Sequence, residues 1–110
     1  MSAYPGIVMS ANGTSNPLPV SPPPNMVWQA PPAYALGLIL TLSSGASLTA
    51  TAQVTADSVP TPTGNWNNHD IIASVTASTN SNILYPVTGI RLVVTNYTSG
   101  TVNLGVAQWP

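Results

Sequence analysis

Charge is what this chain lacks most. Lys, Arg, Asp and Glu together make up 3% of its 110 residues, against roughly 25% in an average soluble protein. There is no lysine and no glutamate, so Asp57, Asp70 and Arg91 are the whole charged complement, with His69 the single histidine. One cation cannot neutralise a run of phosphates, which excludes nucleic acid as a partner. It also excludes an electrostatic membrane anchor. The longest apolar run, Ala33 to Leu42, is about half of the ~20 residues a spanning helix needs. Before the first apolar residues there is no basic stretch, so no secretory signal is expected. Cysteine is absent, which removes disulfides and thiolate metal ligands and says little about redox compartment.

What remains is apolar and polar without being charged. Hydrophobic residues make up 44% of the chain, so disorder driven by low hydrophobicity and high net charge is excluded. The surface must then be Ser, Thr, Asn, Gln and Pro. A net charge of -1 offers little colloidal repulsion, and a free monomer of this kind tends to associate. The composition therefore predicts a surface largely covered by copies of itself or by a larger partner.

The length fits one domain, and the patterning is that of strands. Ile90, Leu92 and Val94 alternate with Arg91, Val93 and Thr95, and Val102, Leu104 and Val106 alternate with Thr101, Asn103 and Gly105. Period two with one apolar face marks a half-buried strand. The polar stretch from Asn96 to Gly100 predicts a tight turn, and hence a hairpin. Ala35 to Leu42 reads as a buried strand by its length and flanks. Ser47 to Thr55 turns Leu48, Ala50, Ala52 and Val54 to one side, and the Ser43-Ser44-Gly45 turn predicts a second hairpin. Small alanines at mid-strand point to close approach by another layer. Ala56 to Asn68 is expected to be loop, Ile71 to Val75 a short strand, and Ser78 to Asn82 a polar loop. Short strands, frequent turns and no helical period predict an all-β fold. The expected architecture is a single β-sandwich or jelly-roll domain over residues 33–110.

Residues 1–32 form a separate block holding eight of the twelve prolines. Proline lacks an N–H and biases its predecessor to extended backbone, so helix is excluded and an interior strand is disfavoured. Ser21-Pro22-Pro23-Pro24 predicts polyproline II. Tyr4, Ile7, Val8, Met9, Met26, Val27 and Trp28 stud this block, and a mere linker has little use for them. The expectation is an extended Pro-rich N-terminal arm whose apolar side chains meet a partner, with Ile7 to Met9 adding an edge strand. A disordered tail is the other reading. Trp109, beyond the last alternating stretch, is either a lid on the core or a further anchor on that partner.

Chemistry is sparse. Asn65-Trp66-Asn67-Asn68-His69-Asp70 gathers the only His, one acid and a Trp. Neighbours on an extended chain point to opposite sides, so His69 and Asp70 are badly placed to share a proton or a metal. Only Asp57 remains as a further ligand, and metal sites want three or four. Nothing resembles a nucleophile elbow. The expectation is therefore no enzyme, no cofactor and no metal: a loop whose polar side chains bond backbone, Trp66 packed on the core, and Asp70 opening the next strand. Arg91 is expected to pair internally with Asp70, ahead of Asp57 or a carboxylate on a partner. Asn12-Gly13-Thr14 and Asn96-Tyr97-Thr98 fit the glycosylation pattern, as a Thr- and Asn-rich chain does by chance.

Residues 45 to 108 resemble small structural proteins of tailed bacteriophages. The resemblance rests on Gly64-Asn65-Trp66-Asn67-Asn68-His69-Asp70, Thr76 to Asn82, Tyr85-Pro86-Val87-Thr88-Gly89-Ile90-Arg91-Leu92 and Tyr97 to Val102. It implies a virion component on the capsid surface: a decoration (cement) protein bound to the major capsid protein and to copies of itself, without catalysis. The alternative is the β-domain of a head or tail fibre, with Trp66, His69 and neighbouring Asn residues binding a host glycan or receptor. Arms that cross between subunits staple a lattice by adding strands or filling grooves.

Overall fold

Two stretches of strict alternation, each broken by a short polar corner, build most of this molecule. The computed structural model describes residues 2–20, 35–85 and 87–109. Among them there are ten strands and no helix. The strands are β1 (Ser2–Ala3), β2 (Ile7–Met9), β3 (Gly13–Thr14), β4 (Leu18–Pro19), β5 (Ala35–Leu42), β6 (Ser47–Thr55), β7 (Asn67–Asn68), β8 (Thr79–Ile83), β9 (Gly89–Ser99) and β10 (Val102–Trp109). They form two five-stranded sheets with antiparallel pairing throughout. The first sheet sets β10 between β5 and the short β1 and β2, with β8 outside β5. The second sets β9 between β6 and the short β3 and β4, with β7 outside β6.

The two hairpins expected from the sequence do not form. β5 and β6 lie in different sheets, as do β9 and β10. Each pair is an arch, its corner carrying the chain from one sheet to the other. The physical reason lies in the apolar faces. A hairpin keeps both faces on one side of one sheet, where a further layer must cover them. An arch folds the two faces onto each other. Leu36, Leu38 and Leu40 of β5 share one core with Leu48, Ala50, Ala52 and Val54 of β6. Ile90, Leu92 and Val94 of β9 join it with Val102, Leu104 and Val106 of β10. Burying each such aliphatic side chain contributes about 1.5–3 kcal/mol.

The two arches nest. β5 pairs with β10 over eight residues, Val102 opposite Leu42 and Trp109 opposite Ala35, while β6 pairs with β9. Their corners interlock: Ser43 N donates to Thr101 O at 2.9 Å, and Thr101 N donates to Ser43 Oγ at 2.9 Å. Gly100 holds φ +96, and a Cβ there would run into Ala46. Only glycine takes that backbone without strain. Within β9, Asn96 at φ 53 marks the irregularity that shifts the register against β6 between Ser47 and Thr49.

Four further expectations need correction. Asn67–Asn68, expected within a loop, is the short strand β7, and Asn96–Ser99, expected within a turn, continues β9. Ser78 to Asn82, expected as a loop, falls mostly in the edge strand β8, which pairs with β5 from Leu40 to Leu36. Of the inward positions of β8, Thr79 and Ser81 are polar and only Ile83, at its end, is apolar, so its alternation carries little apolar signal. Ile71 to Val75, expected as a strand, makes only an isolated bridge between Val75 and Ala50. Ser74 there takes φ 52, which breaks any extended run. The segment instead closes the open side of the second sheet, with Ala52 N donating to Ile72 O at 2.8 Å.

Residues 2–20 lie along the chain's own sheets. β1 and β2 extend the first sheet, with Ile7 opposite Leu104 and Met9 opposite Val102. β3 and β4 extend the second. Ile7–Met9 is thus an edge strand, on this chain's own β10. Pro19 sits on an edge strand, where a missing N–H is tolerated. The polyproline stretch Ser21 to Pro24 lies outside the described residues.

Candidate functional site

The residues expected to meet a partner fall into three groups. Ile7 is buried in the core, and Met9 packs partly against it. Tyr4 is half-buried, its hydroxyl donating to Gln108 Oε1 at 2.6 Å. Val8 points outward with 62% of its surface exposed. Met26, Val27, Trp28 and the side chain of Trp109 lie outside the described residues. The β2 pattern explains the split, because Ile7 and Val8 face opposite sides of the sheet.

Val8 belongs to an uncharged outer face on the first sheet. Ile39 stands there 55% exposed, directly opposite Gly105 on β10. Gly37, Gly105, Ala107 and Gly6 floor a groove of about 400 Å³ beside Ile39 and Tyr4. Neither Gly37 nor Gly105 has a positive φ. A Cβ on either would meet nothing nearer than 3.7 Å. The fold itself does not demand glycine at these two positions.

No charged side chain lines that groove: Arg91 lies on the second sheet, Asp57 on the loop after β6, and Asp70 at the edge the two sheets share. Arg91 of β9 stands opposite Gln53 of β6, and Gln53 stands opposite Asn68 of β7. Side chains tie this row together. Arg91 Nε donates to Gln53 Oε1 at 2.7 Å, and Gln53 Nε2 donates to Asn68 Oδ1 at 2.9 Å. Arg91 Nη1 donates to Pro62 O at 3.0 Å. The guanidinium lies over the Trp66 ring, 4.4 Å from its centroid. Trp66 Nε1 donates to Thr61 O at 2.8 Å, which sets the ring.

Both expectations for these residues are therefore overturned. Trp66 does not pack on the core; it is a platform for Arg91 outside it. Arg91 pairs with no carboxylate among the described residues, neither Asp70 nor Asp57. A planar cation stacks well on an indole, and two carbonyl oxygens take two of its five N–H groups. Partial burial lowers the Arg91 pKa, though arginine stays charged at any ordinary pH. Asp57 is committed elsewhere, accepting from Asn65 N at 2.8 Å and Asn65 Nδ2 at 3.3 Å. The backbone N–H of Asn65 above all, then its side chain, holds the Asp57 carboxyl below its ordinary 3.8.

His69 is a structural plug. It is 1% exposed, and its Nδ1 accepts from Ile71 N at 3.2 Å and Ile72 N at 3.1 Å. A nitrogen that accepts two backbone donors carries no proton, so the ring is the neutral tautomer with Nε2–H. That Nε2 donates to Asn82 O of β8 at 2.9 Å. His69 N in turn donates to Ala52 O of β6. The one residue thus bridges the two sheets along their shared edge. Asp70 opens no strand; its side chain is 85% exposed, with Oδ1 3.5 Å from His69 Nε2.

Among the described residues no three His, Cys, Asp or Glu side chains gather to hold a metal ion. Sequence reasoning missed the Gln53–Arg91–Trp66 cluster because its members lie well apart in the chain, Gln53 and Arg91 by 38 residues. The signal that was available is the outward parity of Gln53 and Arg91 on their strands. No family model matches the chain, and neither does any curated protein or any solved structure.

Proposed function

We propose that this chain is a capsid decoration (cement) protein of a tailed bacteriophage virion. It binds the major capsid protein lattice and copies of itself, and stabilises the head without catalysis. The two sheets are read as a β-sandwich of the jelly-roll kind, seated on the shell through the uncharged face that carries Val8 and Ile39. The observation that carries this reading is that face: exposed aliphatic side chains beside a glycine-floored groove, in a chain with almost no charge to keep it apart from neighbours. The resemblance of residues 45 to 108 to small phage structural proteins supports it.

The fibre reading is weaker. A glycan module needs an open aromatic face, and the Trp66 ring already holds Arg91. His69 is buried and fully engaged. Counting copies on purified particles tests the proposal. A decoration protein covers the head in proportion to the capsid protein, and Val8→Asp strips it from heads while the free chain still folds. Location at a single vertex or on the tail overturns it.

A further inference from the structure

Among the described residues neither Arg91 nor either carboxylate meets a fixed charge of opposite sign, and Asp57 already accepts two hydrogen bonds from Asn65. Arg91 meets Gln53, Pro62 and Trp66, all uncharged. Two of its five N–H groups are used, one on Nε and one on Nη1, which leaves three for a further acceptor. Asp57 is bound to Asn65. Asp70 is 85% exposed, and its one neighbour is a neutral imidazole. The row Arg91–Gln53–Asn68 crosses three adjacent strands, a span of about 10 Å at the usual strand spacing. Asp70 lies just past its Asn68 end. One side of the molecule thus carries a cation on β9, amides on β6 and β7, and an anion at the edge shared with the first sheet, beside His69 Nε2.

We propose that this side is where two copies of the chain meet about a two-fold axis, Arg91 of each copy binding Asp70 of the other. Such an interface is isologous: the same patch serves on both partners, so its two ends must complement each other. Here they do, by charge. Asn67 and Asn68 are exposed between them, and amides both donate and accept, so the middle of the patch is also self-complementary. Exposed ion pairs add little to affinity by themselves, whereas opposed like charges are strongly rejected. The pairing therefore sets which copies meet and in what orientation.

This inference rests on the reading of the chain as one that assembles with itself, and names the surface that does so. The test is charge reversal followed by mixing. Wild type, Asp70→Arg and Arg91→Glu are compared by sedimentation across a concentration series, with circular dichroism confirming that each folds. Wild type is expected to dimerise, and each variant alone to dissociate at least tenfold more readily. Mixing the two variants in equal amounts is expected to restore dimers, because opposite charges then face each other at both ends. The double variant is expected to dimerise as well. A wild type that stays monomeric, single variants that associate as wild type does, or a mixture that fails to recover overturns the pairing. Head occupancy is read separately. A chain that dimerises as described but does not coat heads upholds the pairing and sinks the decoration role.

Discussion

The outer faces of the two sheets are built on opposite plans. The first is apolar and unlinked: Ile39 and Val8 stand exposed, and the groove that Ile39 borders with Gly37 and Gly105 has no charged lining. The second is polar and tied, with Asn68, Gln53, Arg91 and Trp66 joined into one network. Both cover the same kind of core, so the core does not explain the difference. A face whose side chains satisfy one another contributes to the fold. A face of exposed aliphatics over unneeded glycines contributes nothing to the fold and is free to serve a partner.

That contrast can be broken in order of size. The largest expected effect is at the edge joining the sheets. His69→Ala removes the acceptor for two backbone N–H groups and the donor to Asn82 O, and is expected to cost about 2–4 kcal/mol in denaturant unfolding. A cost below about 1 kcal/mol means the plug is dispensable. On the tied face, Trp66→Ala removes the platform under Arg91 and one hydrogen bond. A loss of about 1 kcal/mol is expected.

On the free face the sign changes. Gly105→Ala is expected to raise the stability of the isolated chain by about 0.5 kcal/mol, since its Cβ has room. Ile39→Ser is expected to leave it within about 0.5 kcal/mol. Destabilisation by both would erase the distinction between the faces.

The smallest effect is Asp57 and pH. Its carboxyl is held below the ordinary value by Asn65, so its contribution is present above about pH 4, the unfolded value. It fades as the pH falls through the lower folded value. Asp57→Asn should flatten the acid limb of the stability profile between these two values, by slightly lowering stability at neutral pH and leaving it nearly unchanged at acid pH.

Strand positions were largely legible. The alternation in Ser47–Thr55 and in residues 90–94 and 102–106 marks the buried residues correctly, because period two reports a face whatever the partner. β8 escaped because two of its three inward positions, Thr79 and Ser81, are polar and only Ile83 is apolar. The Arg91 site escaped because its partners, Gln53 and the Pro62 carbonyl, are uncharged and distant in sequence; a search for carboxylates looks past them.

Composition and period by themselves determined that this is an all-β chain, which residues on the long strands turn inward, and that its surface carries almost no charge. Only the tertiary structure decided which strand pairs with which. Alternation says that a face must be covered, yet a hairpin under a second layer and an arch closed on itself satisfy it equally. What separates them is the nesting of the two corners, where Ser43 meets Thr101 and Gly100 clears Ala46, and contacts between segments so far apart exist only once the chain has folded.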